Sequence, residues 1–399
     1  MDVFVFYSGA EVFGRRGPRH EERAATRLAM KILWICGSRV VGGAERVTIQ
    51  ILSLLRERSH LVGALLPIAS PVRRAIDGLF SSLYAGKLAG RKDSSSASTI
   101  TRAVSAFGPD VVLVTTSNEW LWSCMISRRL MGAPLVLARH MSLRPRATLL
   151  KLANLRADAV VVVSESVRRN LLGGSGIREE LIQVIRNPVR FKIRDEIPSH
   201  QKRANLRKSM GLPAAGRWVG FFGGNDPQKG IGDLMEAARR LKSRGLDLNL
   251  LVCGRPHRKR RRTVAAWARD AGLGAYTHYL GEVDDMERAL SAVDAVVIAT
   301  HSSLGEGLPL TALEAMACGT PVIGYGIDGT REAIGANEEG GLLVKPDNPV
   351  DLARVLHRVF SEPELGARVA QRALKWARKQ FDPSRAADEY EKLFLSLIE

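Results

Sequence analysis

The chain has 399 residues, too many for one ordinary hydrophobic core and enough for two domains of roughly 150–200 residues. Its 45% hydrophobic and 25% charged residues exclude a disordered or fibrous chain, and no apolar run approaches the ~18–20 residues of a membrane span. A formal net charge of +18 predicts an anionic partner: nucleic acid, an acidic membrane surface or a phosphorylated small molecule.

Residues 1–29 place their apolar part before their arginines, the reverse of a secretory signal. Met30 is followed at once by the strand-like "KILWIC", so residues 1–29 read as an extension outside the fold and Met30 as an alternative start. Short β-branched runs then recur: "KILWIC", "HLVGALLP", "DVVLVTT", "PLVLAR" and "DAVVVVS". Helical patterns such as Ala44–Arg58 separate several of them, which is βαβ rhythm and predicts a parallel sheet covered by helices. The polar stretch from Arg190 to Gly216 reads as a linker with a lead-in helix. The rhythm restarts with "WVGFFGG", a helix from Ile231, "LNLLVCG", a helix near Thr263–Ala271, "THYLGEV", "DAVVIAT" and "PVIGYG". Two amphipathic helices close the chain, with Trp376, Phe381, Tyr390, Leu393, Phe394 and Leu397 as their apolar face. Two tandem βαβ domains enclose a cleft, and ligands of such sheets sit beyond the carboxyl ends of the strands. Cys36, Cys124, Cys253 and Cys318 lie far apart in mostly apolar runs, without metal-ligand spacing, and read as buried reduced thiols of a cytosolic protein.

The strand-end loops carry the chemistry. Gly42 and Gly43 follow the first strand and precede a helix, a setting that fits either a tight turn or the close approach of an anion. Glu45 in the first turn suits the helix dipole. In the second half, "FFGGNDPQKG" sets Lys229 just before a helix, where it is either a solvated lysine or a phosphate ligand; no P-loop is present. The segment "GEGLPLTALEAMACGTPVIG" brackets Glu306 between Gly305 and Gly307 and sets Glu314 inside a short helix. Pro309 is expected as the first helical residue, Gly319 and Pro321 as the stop, and Leu310, Leu313 and Ala317 as a stripe toward the sheet that Glu314 shares. A carboxylate on that side needs hydrogen-bond donors. About 7.5 Å of helix rise separates Pro309 from Glu314, room for an anion at the helix start and a polyol at either acid, the shape of a nucleotide sugar. Acid pairs at this spacing also arise by chance.

Four segments carry a family resemblance: "GGAER" at Gly42–Arg46, "GGNDPQKG" at Gly223–Gly230, "GEGLPLTALEAMACGTPVI" at Gly305–Ile323 and "GGLLVKPDN" at Gly340–Asn348. From Met30 to Glu399 the chain resembles the retaining glycosyltransferases of family 4, most specifically in the third segment. The resemblance implies the GT-B fold: two Rossmann-like, doubly wound domains facing a cleft, with a C-terminal helix, about 383–399, returning to the first domain. It implies an acceptor-binding domain over 30–190 and a donor-binding domain over 191–382. Glu314 would hold the donor ribose, Glu306 the sugar hydroxyls and Lys229 the diphosphate. Gly307, Leu308, Pro309, Leu310 and Thr311 would line phosphate and sugar, Gly43 would approach the diphosphate from the other domain, and Val283 would lie by the base. His140, at a strand end, is either structural or placed beside the transferred sugar and the acceptor. With Glu306 and Lys229 it makes up the implied catalytic set, and Gly42, Arg144 and Arg146 the acceptor side.

One position departs from the family. Many members have an arginine where this chain has Gly224, and Arg255 and Arg139 are the candidate replacements. "RHMS" at Arg139–Ser142 and the basic residues after it resemble enzymes that build lipopolysaccharide and other envelope glycans. The implied activity is retaining, metal-independent transfer of a hexose from a UDP or GDP sugar to a lipid-linked or polysaccharide acceptor, by an enzyme peripheral on the cytoplasmic face of the inner membrane. Arg139, Arg144, Arg146, Lys151 and Arg156, with Lys202, Arg203, Arg207 and Lys208 near the linker, would suit an anionic membrane surface, and "RPHRKRRR" at Arg255–Arg262 is a solvated face or an anion patch. Asp284–Asp285 reads as a helix start rather than a metal site. The alternatives are a nucleotide-sugar hydrolase or epimerase of the same fold, and a nucleic-acid binder, which rests on charge alone because no helix-turn-helix, RNA-binding or zinc signature is present.

Overall fold

The computed structural model describes the backbone of residues 5–8 and residues 29–88, 93–126, 132–142, 146–173, 177–256 and 262–399. Two sheets organise them. The first holds β1 (Val5–Ser8), β2 (Lys31–Ile35), β3 (Leu61–Pro67), β4 (Ser82–Gly86), β5 (Val111–Val114), β6 (Leu135–Arg139), β7 (Ala159–Val162) and β8 (Ile182–Val184), in the order β1-β4-β3-β2-β5-β6-β7-β8. The seven strands from β2 to β8 are parallel. The second holds β9 (Arg217–Phe221), β10 (Leu248–Cys253), β11 (Thr277–Gly281), β12 (Ala295–Ile298), β13 (Val322–Tyr325) and β14 (Leu342–Val344), all parallel, in the order β11-β10-β9-β12-β13-β14. Central strands such as "VVLV" (β5), "AVVV" (β7) and "AVVI" (β12) are buried throughout, because helices cover both faces of a parallel sheet.

Besides β1, three strands lay beyond the sequence reading. β4, β8 and β14 are short and carry no alternation long enough to reveal them. Residues 5–8, expected outside the fold, pair antiparallel with β4 from Val5↔Ala85 to Ser8↔Ser82. They satisfy the open edge of the first sheet.

Strand order reverses between β2 and β5 in the first sheet and between β9 and β12 in the second. Each reversal opens a crevice at the carboxyl ends of the strands, where adjacent connections depart to opposite faces. The two crevices face each other, and the loops after β2, β6, β9 and β12 meet there.

The link between the sheets is anchored rather than loose. Val189 donates its N–H to the Phe381 carbonyl at 3.0 Å, and Gln50 Nε2 donates to the Val189 carbonyl at 2.8 Å. The lead-in helix His200–Ser209 corrects one expectation. Arg203 and Arg207 are buried, so they are not lipid-facing. Arg203 donates to the carbonyls of Ser291 and Gly319, each at 3.2 Å, and Arg207 to those of Ala292 and Ala214, each at 2.9 Å. These guanidinium groups satisfy chain ends around Ala292–Val293 and Gly319, and burial lowers the pKa of both.

The final helices divide their apolar residues between the two halves. Helix Pro363–Gln380 packs on helix Leu310–Ala317, and Trp376 Nε1 donates to the Ala333 carbonyl at 2.8 Å. Helix Pro383–Ile398 packs on helix Gly43–Glu57 of the first sheet, burying Tyr390 and Phe394. Glu391, 3% exposed, accepts from Arg58 Nη1 at 2.6 Å and meets His60 Nε2 at 3.0 Å. His60 Nδ1 accepts the Met30 N–H at 3.1 Å, so its Nε2 carries the proton given to Glu391. All four cysteines are free and buried. Among the described residues no helix is long and apolar enough to cross a membrane.

Candidate active site

The loop after β12 runs from Ala299 to Pro309 and is shaped by glycines. Gly305 has φ +68°, a left-handed conformation that favours glycine. Gly307 lies against the first sheet: a Cβ there would overlap the carbonyl oxygen of His140. The Gly307 carbonyl in turn accepts from Ser164 Oγ at 2.6 Å. This close approach of the two halves sets Glu306 beside Lys229, with Nζ 2.5 Å from Oε1, and Thr300 Oγ1 donates to the same oxygen at 2.6 Å. Lys229 ends a short turn after β9, Pro227–Lys229, in which Asp226 caps Gln228 N–H at 3.1 Å.

His140 follows β6. Its Nδ1 lies 3.2 Å from Asn187 Oδ1, an acceptor, so Nδ1 carries the proton. The other ring nitrogen, Nε2, is buried and has no hydrogen-bond partner among the described residues. Burial chiefly pushes the imidazole pKa down, to about 4, with Arg139 adding to the effect against the Asn187 hydrogen bond. His140 is therefore a neutral ring that borders the cleft with a buried, unpartnered Nε2.

The structure starts the next helix one residue later than the sequence pattern: it spans Leu310–Ala317 and Pro309 is its N-cap. Proline at the cap still leaves the Leu310 and Thr311 amides free at the helix start. Leu310 also departs from the expected stripe. Leu313 and Ala317 are fully buried, but Leu310 turns into the cleft, where a Cβ on Gly43 would lie 2.6 Å from its Cδ1. Glu314 is 1% exposed and accepts from Arg190 Nε. The donor that its burial requires is thus an arginine of the link between the sheets, which the sequence reading did not single out.

Two adjoining cavities result. One, of about 290 Å³, is bordered by His140, Asn187, Lys229, Thr300, Glu306 and Pro309. The other, of about 270 Å³, is bordered by Arg46, Arg190, Arg255, Glu282, Val283 and Glu314, and also by Gly42. Gly43, Phe222, Leu310 and Thr311 line both, so they form the ridge between them. Leu308 borders the first. A larger cavity of about 610 Å³ opens between helices Glu165–Leu172 and Asp328–Ile334, bordered by Gly305 but by neither Glu306 nor Glu314; Glu332 there pairs with Arg186 at 3.0 Å.

Several expectations change. Gly42 borders the site, but its amide is occupied by the Glu45 carboxylate at 2.9 Å, a side chain–backbone cap that removes one anion donor. Arg139 does not reach the donor cavity: it is 7% exposed, donates to Ser117 Oγ at 3.1 Å, and burial lowers its pKa to about 10. Arg255 does border that cavity, but its guanidinium forms a bidentate, exposed pair with Glu282 at 2.9 and 3.0 Å. Arg146 is exposed at the start of helix Ala147–Arg156, away from both cavities. Arg144 and most of the "RPHRKRRR" run, residues 257–261, lie outside the described residues. Asp285 caps helix Met286–Ala292, accepting Arg288 N–H at 2.9 Å, and no metal-ligand cluster occurs among the described residues. Asn187, Arg190, Arg46 and Thr300 are the site residues that sequence reasoning missed. Arg46 stands next to the "GGAE" turn, and Asn187 follows a strand, so position was the available signal for both.

Two facing doubly wound sheets with a polar cleft at both switch points define a two-domain α/β protein of the GT-B type. The comparisons name the family. A model described as Glycosyltransferase Family 4 matches residues 41–192, and one described as Glycosyl transferases group 1 matches residues 202–376. The chain belongs to the family 4 glycosyltransferases of GT-B fold. It is 28% identical over 342 residues to the phosphatidyl-myo-inositol mannosyltransferase of Mycobacterium tuberculosis, covering 81% of this chain and 84% of that protein. It is 26% identical over 301 residues to the 2-deoxystreptamine glucosyltransferase of Streptomyces kanamyceticus, covering 70% and 75% respectively. Anabaena Alr3699/HepE, solved in complex with UDP, shares the fold with a TM-score of 0.79 at 23% identity over 92% of this chain and all (100%) of that one.

Proposed function

We propose that the chain transfers a hexose, with retention, from a UDP or GDP sugar to a lipid-linked or polysaccharide acceptor of the bacterial envelope. The observation that carries this reading is the pair of cavities joined over the start of helix Leu310–Ala317, with Glu306 in one and Glu314 in the other. A nucleoside diphosphate sugar has the matching sequence of groups. The ribose hydroxyls donate to Glu314, the diphosphate crosses the Gly43–Leu310–Thr311 ridge, and the sugar lies between Glu306 and His140. The base faces Val283. A mannosyltransferase and a glucosyltransferase among the relatives support a hexose, and the phosphatidyl-myo-inositol acceptor in the name of the first supports a lipid-linked acceptor.

The chemistry follows from the charges. As the bond from the sugar's anomeric carbon to the diphosphate breaks, negative charge grows on the leaving oxygen and positive charge on the ring. Lys229 and the free amides at the helix start stabilise the first, already oriented before the reaction. Glu306, held by Lys229 and Thr300, accepts from sugar hydroxyls and fixes the ring over the acceptor. His140 Nε2 accepts a hydrogen bond from one further hydroxyl, and the ring stays neutral. The acceptor hydroxyl then attacks from the face the diphosphate leaves, giving its proton to the leaving phosphate oxygen. Bond breaking and bond forming on one face preserve configuration without a protein nucleophile, and we assign no metal to the step.

The acceptor approaches from the first sheet. Arg146, Lys151 and Arg156 are exposed there, as are Leu155, 76% exposed, and Met141, 56% exposed. Cationic heads around apolar side chains suit an anionic lipid surface. We place the enzyme on the cytoplasmic face of the inner membrane, where buried free thiols stay reduced. The test is a panel of UDP and GDP sugars incubated with the protein and envelope lipid extract, reading label transferred to lipid. Transfer that is lost in Glu314→Ala at an unchanged melting temperature supports the assignment. Full activity in that variant, or nucleotide release indifferent to acceptor, overturns it in favour of a hydrolase.

A further inference from the structure

The turn after β9 leaves Lys229 as its only basic residue between Phe222 and Gly230. The backbone explains why position 224 cannot supply a second. Gly224 has φ +61°, and a Cβ there would lie 2.8 Å from the main-chain oxygen of Arg255. Its N–H is committed to the Cys253 carbonyl at 2.9 Å. An arginine would need a strained conformation and a displaced neighbouring strand end. A dianionic leaving group still calls for more than one positive charge.

Arg190 stands where that charge is needed. Its neighbour Val189 is fully buried and bonded on both sides, so the backbone of Arg190 is fixed. Nε donates to Glu314, three residues beyond Thr311, which puts the guanidinium within about one helix turn of the free amides. The side chain is 19% exposed and lines the same cavity as Glu314 and Thr311. Neither Nη group has a partner among the described residues. A guanidinium carries five donors in a planar fork, so one edge can hold a carboxylate while the rest serves a phosphate.

We propose that Arg190, through its two Nη groups, binds the donor's diphosphate in place of the cation that Gly224 cannot carry, while its Nε holds Glu314 toward the ribose. The inference rests on the donor-site reading above. Arg255 does not fill this role, because its fork is taken by Glu282 at the cavity mouth. Arg46 borders the same cavity from the exposed first turn of helix Gly43–Glu57 and serves as the comparator.

The experiment titrates the full chain with UDP, GDP, uridine and guanosine by calorimetry, with saturation-transfer NMR for the weak nucleosides. Arg190→Gln is expected to weaken the bound diphosphate by about ten-fold or more and its nucleoside by less than about two-fold. Glu314→Gln is expected to weaken both by one common factor. Equal losses in Arg190→Gln, or a loss that appears only in Arg46→Gln, overturn the inference. Because Arg190→Gln leaves Glu314 buried without its cation, Arg190→Lys provides a second reading: diphosphate affinity falls severalfold, and a loss confined to the nucleoside overturns the proposal. A wild-type chain that binds neither UDP nor GDP removes the donor-site reading itself, an outcome distinct from binding that is indifferent to Arg190.

Discussion

Gly307 rests on the carbonyl oxygen of His140, backbone against side-chain-free backbone, across the boundary between the two sheets. The contact brings the Glu306 loop and the His140 ring to one cavity. Gly307→Ala is expected to hold the two halves apart rather than unfold either. Transfer should fall by roughly 100-fold, the usual cost of misplaced reacting groups. Small-angle scattering should show an expanded particle with a melting temperature close to wild type; a compact, active variant would contradict this.

Lys229 and Glu306 pair at 2.5 Å, and on the proposed mechanism they are expected to act as a unit. Each single substitution, Lys229→Met or Glu306→Gln, is expected to lower kcat by about 10²–10³-fold, and the double variant to lose little more. Additive losses would show that the two serve separate steps. Dialysis against EDTA should leave wild-type kcat unchanged.

The His140 pKa lies near 4 in the fold, against about 6.5 in an unfolded chain. Between those values the unfolded chain binds more protons than the native one. This residue's contribution therefore lowers stability as pH falls from about 6.5 toward about 4, and nothing is gained above 6.5. His140→Gln should melt with a shallower decline over that window than wild type, read by thermal scans from pH 7 to 4.5. Parallel curves would remove the assignment of a neutral, buried ring.

Glu391 joins the last helix to the first sheet through His60 and Arg58. Glu391→Ala leaves the buried His60 N–H unpaired and Arg58 with only Asp388 at 2.6 Å and the Ser384 carbonyl at 3.2 Å, and about 2–4 kcal/mol of stability should be lost in urea unfolding. Activity at low temperature should remain, since no atom of this cluster reaches the cleft.

Arg146, Lys151, Leu155 and Arg156 are all exposed on or next to helix Ala147–Arg156, the region proposed above to meet the membrane. Replacing the three cations with alanine is expected to reduce flotation with anionic vesicles by about 1 kcal/mol per residue. Nucleotide affinity should be unchanged. Equal flotation of both proteins would place the membrane contact elsewhere or remove it.

Local pattern alone determined a great deal here. Alternating apolar runs and helical stripes reveal two parallel α/β domains, because each strand buried on both faces must be apolar whatever its neighbours are. The glycine bracket of Glu306, the lysine before helix Ile231–Lys242 and the buried side of Glu314 are legible for the same reason: each depends on residues within two turns of itself. Tertiary structure decided the partners. Arg190 meets Glu314 across 124 residues of sequence, and Asn187 meets His140 across 47. Pairs so distant depend on how the sheets dock, and no periodicity records docking. The same limit explains Arg203 and Arg207, whose charge reads as surface in sequence but which donate to buried carbonyls of the second half. It also explains residues 5–8, which gain a place only because β4 offers an open edge. Composition could say that an anion is bound; only the fold could say which arginines remain free to bind it.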